Sequence, residues 1–89
     1  MAKVIIEKLS EAEIEKRKIK SWPIWTKEVS KFDWFYDSKE ECLILEGEFV
    51  VHTDEGDYSV KQGDFVTFKK GLKCIWEVEK PIRKHYNFL

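Results

Sequence analysis

Two stretches decide the fold: Glu40-Glu41-Cys42-Leu43-Ile44-Leu45-Glu46-Gly47 and Gly63-Asp64-Phe65-Val66-Thr67-Phe68-Lys69-Lys70-Gly71-Leu72-Lys73-Cys74. In the first, Cys42, Leu43, Ile44 and Leu45 are apolar without alternation, which suggests a strand covered on both faces. Glu46-Gly47-Glu48 breaks that run, and Phe49-Val50-Val51-His52 resumes it. The second stretch follows the turn Gln62-Gly63-Asp64, extends from Phe65 to Phe68, and turns again at Lys69-Lys70-Gly71. In the strand expected from Lys73 to Glu79, Cys74, Trp76 and Val78 share one face, opposite Lys73, Glu77 and Glu79.

Outward from these stretches the same period continues. Asp54-Glu55-Gly56-Asp57 reads as a hairpin connection leading into Tyr58-Ser59-Val60. Upstream, Phe32, Trp34 and Tyr36 alternate with Asp33 and Phe35, and Asp37-Ser38-Lys39 is a turn. Downstream, Pro81 starts a final strand from Ile82 to Phe88. Ser10-Glu11-Ala12-Glu13 is a capping box: a hydroxyl accepts from the first turn and a glutamate reaches back. It opens a short helix to roughly Lys18, with acids early and bases late as the helix dipole prefers. Ile14, with Ala12 and Ile19, gives this helix only a narrow apolar side, so it should lie on the surface. Many short strands, glycine turns and no second helix point to an all-β antiparallel barrel or sandwich.

At 89 residues there is room for one domain with a modest core, to which six Phe, four Trp and three Tyr contribute large buried areas. The formal net charge is −1, with no long basic run, which argues against nucleic acid and against an anionic membrane surface as partners. The start Met1-Ala2-Lys3-Val4-Ile5-Ile6-Glu7-Lys8 has no apolar run of signal-peptide length, and no later stretch would span a bilayer. The expected location is therefore cytoplasmic, where Cys42 and Cys74 would be thiols rather than a disulfide. Fourteen Lys and twelve Glu beside one Asn, one Gln and one Met resemble the composition of hyperthermophile proteins.

The two opening stretches resemble the signature motifs of the cupins. The first motif ends with a glutamate, six residues and a glycine, matched by Glu40 and Gly47; the second starts with glycine and aspartate, matched by Gly63 and Asp64. In the family, three histidines and the glutamate hold one metal ion. The histidine pair precedes the glutamate by three or four residues, which gives Trp34 and Tyr36, or Asp33 and Phe35; the third histidine position holds Cys74. The resemblance covers roughly Phe32 to Val78. It is nearest to small single-domain cupins of largely unknown function, a subgroup related to ureidoglycine aminohydrolase and to the ethanolamine-utilisation cupin. Trp22-Pro23-Ile24-Trp25 and the ending Lys84-His85-Tyr86 also look like that subgroup. The resemblance implies a single-domain cupin jelly roll over 1–89, with 1–24 as a strand and helix extension outside a barrel formed by 25–89.

Carried over by position, Glu40 and Cys74 should point into the barrel mouth. A carboxylate and a thiolate would supply two ligands to zinc or another borderline-soft ion, and Cys42, in strand phase with Glu40, a third. Against this, such a set without histidine is incomplete, and buried cysteine commonly fills space as a small apolar group. The usual cupin metal is therefore not expected. Trp34, Tyr36 and Trp76 would line a pocket with Glu40 as its polar anchor, or would simply pack the barrel. In an enclosed mouth Glu40 would also suit proton transfer. His52 is expected on a solvated edge, His85 at the rim or a subunit contact, and the lysines around Gly71 at a solvated tip. No nucleotide-binding glycine loop, hydroxyl nucleophile motif or paired-cysteine zinc spacing occurs.

Three functions stay open at this point. The first is binding of a small polar molecule in a mouth formed by Trp34, Tyr36, Glu40, Cys74 and Trp76, without a histidine-held metal. The second is an enzyme, with or without metal, acting on a small metabolite. The third is a structural or interaction protein with a packed barrel. Because Trp22 and Trp25 would be costly in water unless covered, a homodimer, or a clamp across the barrel, is also expected.

Overall fold

The period-two stretches become strands in the computed structural model, which describes residues 3–89. In chain order these are β1 (Val4–Glu7), β2 (Ile24–Lys27), β3 (Ser30–Phe35), β4 (Glu40–Thr53), β5 (Gly56–Lys61), β6 (Phe65–Phe68) and β7 (Lys73–Phe88), with α1 (Glu11–Lys16) and a 3-10 turn (Ile19–Ser21) between β1 and β2. Every pairing is antiparallel.

β4 and β7 organise the rest. The first part of β4 pairs with β6 and with the end of β7, which also carries β2, while β1 borders β6. The second part of β4 pairs with β5 and with the start of β7, which also carries β3. The result is two layers sharing two long strands, the antiparallel jelly roll expected from the sequence. Among the described residues no ladder joins β1 to β2 or β3 to β5, so the roll is open at both margins.

A straight strand of the 16 residues in β7 would span roughly 50 Å, whereas the longest Cα extent of the molecule is 34 Å. The strands must therefore bend, and they do so together. The β4–β7 register shifts between Ile44 and Glu46, between Glu46 and Glu48, and between Glu48 and Phe49, the kind of bulge by which a strand turns from one layer to the other. Gly47 sits in this corner with φ +99°, and a Cβ there would come 2.2 Å from the Pro81 carbonyl oxygen. Pro81 faces the same gap, between the pairs Glu48–Lys80 and Glu46–Arg83, where its missing N–H breaks no ladder bond. The sequence reading placed strand ends at Glu46–Glu48 and at Pro81. Both are corners within continuous strands.

The core between the layers joins Val66 and Phe68 of β6 to Val51, Val60 and Trp76 of the other layer. A second cluster forms on the outside, where Ile14 and Ile19 cover Leu43 and Phe65. This accounts for the unbroken run Cys42–Leu45: Cys42 and Ile44 face the inner core, Leu43 and Leu45 the helix side. Ser10 caps α1, accepting from the Glu13 amide at 3.2 Å. The helix stops at Lys16, two residues short of the expected end, and Lys18 takes a left-handed conformation with φ 56°. β1 is a bordering strand of the first layer, so of the 1–24 extension only the helical segment stands outside the sheet. The Gly63-Asp64 signature also has a structural role: the Asp64 carboxylate accepts from the Lys61 amide at 3.0 Å and pairs with Lys8, closing the turn between β5 and β6.

His52 stays partly solvated, its side chain 32% exposed, but not on an edge strand. β4 is an inner strand, and the imidazole bridges Asp57 of β5 and Glu77 of β7, each at 2.9 Å. The hydrogen bond to Glu77, then that to Asp57, raises its pKa above the usual 6.5.

Two stability predictions follow from this geometry. Gly47→Ala should lower unfolding free energy by about 3 kcal/mol or more, and Gly56→Ala, strained but in open space, by about 1–2 kcal/mol. Equal losses in urea titrations would contradict a tight corner. The raised folded pKa means that the His52 contribution is complete below about pH 6.5 and fades as pH rises through the higher folded value. The melting-temperature gap between the parent and His52→Gln should thus shrink as pH rises above about 6.5; a constant gap would rule out the charged bridge.

Candidate functional site

The end of β7 turns Ile82, Lys84, Tyr86 and Phe88 toward the same side of the sheet, and Glu40 opens β4 two ladder positions beyond the Tyr86 partner Cys42. Lys84 stands opposite Ile44 on one side and Trp25 on the other. Its long stem runs along the strands and brings Nζ to 3.0 Å from Glu40 Oε2, with both side chains at most 5% exposed. The same ammonium lies 4.8 Å from the Trp25 ring centroid and 4.7 Å from that of Trp76. A buried cation is tolerable only when compensated; here a carboxylate and two indole faces compensate it. Among the described residues no side-chain oxygen or nitrogen is both buried and without a partner. Glu40 Oε2 takes the Lys84 bond, and Glu40 also borders open space.

That space is a cavity of about 140 Å³. Trp25, Phe32, Trp34, Tyr36 and Trp76 form its aromatic wall, and the Glu40–Lys84 pair supplies its charged groups. Tyr86 and Phe88 complete the lining from β7. Trp76 is the fixed element, stacked on Phe49 at 4.1 Å and on Phe32 at 6.0 Å, with Trp25 edge-on at 5.9 Å. Its indole N–H donates to the Tyr36 hydroxyl at 3.2 Å. Tyr36 stacks on Phe68 at 4.8 Å, and its backbone is held by Leu72 O and the Gly71 amide. Burial, then the nearby Glu40 charge, lifts the Tyr36 pKa well above 10, so the phenol stays neutral. Trp34 and Phe88, 45% and 48% exposed, flank the opening.

Of the residues singled out in the sequence, Trp34, Tyr36, Glu40 and Trp76 border this cavity, and Cys74 and Cys42 do not. Both thiols are buried in the core, Cys42 donating weakly to the Val66 carbonyl at 3.8 Å. Burial pushes the Cys42 thiol up to about 12 and that of Cys74 up to about 11, so neither offers a thiolate at neutral pH. Asp33 and Phe35, the other pair aligned with the family histidines, lie exposed out of phase with Trp34. Glu40 already faces a cation, and no group of three or more His, Cys, Asp or Glu among the described residues has the arrangement to hold a metal ion. The donor set does not fit the metal that the cupin pattern implies. His85 is buried away from the cavity, its Nδ1 2.9 Å from the Trp22 carbonyl oxygen. Trp22 packs on Phe65 at 6.4 Å and Trp25 edge-on against Trp76, and both stay partly exposed.

Sequence reasoning missed Lys84 as a site residue, and Trp25, Phe32, Tyr86 and Phe88 as lining. The signal was present: Lys84 is in strand phase with Ile82 and Tyr86, which places a lysine at an inward position.

Residues 14–86 match the EutQ-like cupin domain. The chain is similar to a DUF861 family protein from Thermotoga maritima, with 50% identity over 97% of this chain and 99% of that one and a TM-score of 0.94. It is also similar to a putative ethanolamine utilization protein Q from Salmonella typhimurium LT2 (20% identity, 96% of this chain, 68% of that one, TM-score 0.67). The EutQ protein of Clostridium difficile stands at the same 20% identity, covering 96% of this chain and 66% of that one, TM-score 0.68. At such identity these two bear on the fold alone. No protein of curated function matches the chain. Among the described residues no helix is long and apolar enough to cross a membrane.

Breaking the buried pair from its cationic side should be costly. Lys84→Met strands a carboxylate in an aromatic enclosure and is expected to lose about 3–5 kcal/mol. Glu40→Gln should lose less, because glutamine still accepts from Lys84 and the indoles still face the cation. Urea unfolding of the two variants measures the order; a harmless Lys84→Met would contradict the pairing.

Proposed function

This chain belongs to the EutQ-like cupin domain family, and we propose that it binds a small, flat organic molecule in its barrel mouth without a histidine-held metal. The observation that carries this reading is the cavity itself. Trp76 belongs to the packed inner core, and the mouth beside it keeps about 140 Å³ next to a buried ion pair. Small-molecule sites typically combine apolar, aromatic walls with a few convergent polar groups. A cavity of this order suits one six-membered ring, since an engineered apolar void of roughly 150 Å³ accepts benzene. A barrel serving only as a scaffold would have no need to keep such a space beside a buried lysine and glutamate.

Metal-assisted chemistry is not part of the proposal. In the histidine-bearing pattern the glutamate faces a metal ion; here it faces Lys84, and the two thiols are protonated and buried elsewhere. The chain's own residues then divide the work. The aromatic wall offers ring contacts, Lys84 offers N–H donors, Glu40 offers an acceptor, and Trp34 and Phe88 cover what enters.

Ligand-observed saturation-transfer NMR with a panel of single-ring fragments tests this. Fragments should bind the parent and Phe35→Ala, whose side chain lies outside the mouth. Trp34→Ala should bind them about three- to tenfold more weakly, the loss of one aromatic contact. A panel with no binders, or one insensitive to Trp34→Ala, would contradict the proposal.

A further inference from the structure

We infer that the molecule taken up by this mouth is uncharged and presents a cis-amide edge, as a lactam or a pyridone does; this rests on the reading of the mouth as a ligand site. The argument begins with the charges. Glu40 and Lys84 are the charged residues lining the cavity, they lie 3.0 Å apart, and each is nearly inaccessible. They neutralise each other, leaving no spare charge to receive an ion.

A carboxylate ligand would compete with Glu40 for the ammonium and stand against the Glu40 charge. A cationic amine would compete with Lys84 for the carboxylate and stand against the ammonium. Either way the mouth would hold an unpaired charge among seven aromatic side chains, and a buried charge stripped of its partner is strongly unfavourable. A plain hydrocarbon ring avoids that conflict but covers the remaining N–H and carboxylate oxygen without replacing their water, which is also unfavourable.

A neutral ring with a donor and an acceptor on one edge meets all of these conditions. The ammonium has three N–H groups, of which one serves Glu40 Oε2. Glu40 borders the cavity, and its second oxygen is not taken by Lys84. A cis-amide places N–H and C=O side by side on the same edge, so its N–H donates to Oε1 while its oxygen accepts from Lys84, and the ion pair stays intact. Its flat body packs against the aromatic lining, with Trp34 and Phe88 at the opening. The cavity of about 140 Å³ holds one such ring.

Four probes of similar size separate the possibilities on the unmodified protein: 2-pyridone, N-methyl-2-pyridone, benzoate and benzylamine, compared by isothermal titration or ligand-observed NMR near neutral pH. The inference expects 2-pyridone to bind about tenfold or more tightly than each of the other three, since methylation deletes the donor to a charged acceptor and the ions disrupt the pair. Binding of N-methyl-2-pyridone at equal strength would overturn the amide assignment. Tighter binding of benzoate or benzylamine would overturn it too, while leaving the mouth a ligand site. No binding by any probe would overturn both the assignment and the reading beneath it.

Discussion

A lysine ammonium and a glutamate carboxylate, buried together 3.0 Å apart with tryptophan faces on the cation, set the conditions that the surrounding structure must meet. Neither charge is stable in such a place alone. Glu40 must open β4 at the point where Lys84, four ladder positions along β7, can reach it. Trp25 must pair directly across from Lys84, which requires β2 to border the end of β7. Trp76 must come from the start of the same strand, in the other layer, which requires β7 to bend. The Gly47–Pro81 corner supplies that bend. The jelly roll is thus the frame that brings two distant parts of one strand to the same cation.

The replacement of the cupin histidines takes on a physical meaning from this pair. The glutamate that the pattern normally directs at a metal is kept, and a protein-borne cation meets it instead. The positions aligned with histidine become wall and core: Trp34 and Tyr36 border the cavity, and Cys74 is a buried thiol. A mouth lined this way offers ring faces and paired hydrogen-bonding groups in place of an open coordination position. It is a different kind of site on the same scaffold.

Much of the fold was legible in the sequence because it is written in local rules. The Ser10 cap, the glycine turns, and the unbroken apolar run Cys42–Leu45 each announce one element, and each is found, although the Glu13 carboxylate pairs with Arg17 rather than reaching back to Ser10. The corner was not legible as such, since a glycine between glutamates and a proline between strands also mark ordinary strand ends; only the facing of Gly47 and Pro81 distinguishes a bend. Half of the site was legible through the cupin spacing that singles out Glu40. Lys84 was not, because a lysine beside Arg83 in a chain rich in surface lysine looks solvated, and its burial depends on Trp25 and Glu40, far away in sequence. His52 failed for a similar reason: whether β4 is an edge strand is decided by the partners β5 and β7.

The most direct test of this account is a double-mutant cycle on the pair, adding Glu40→Leu to Lys84→Met and measuring unfolding free energies of parent, singles and double. Replacing both charges by apolar groups removes the stranded charge that either single change leaves. The account predicts that the double variant recovers most of the stability lost in Lys84→Met, with a coupling of about 2 kcal/mol or more. Losses that simply add, to within about 0.5 kcal/mol, would mean that Glu40 and Lys84 do not depend on one another, and the ion pair would cease to be the centre of the structure.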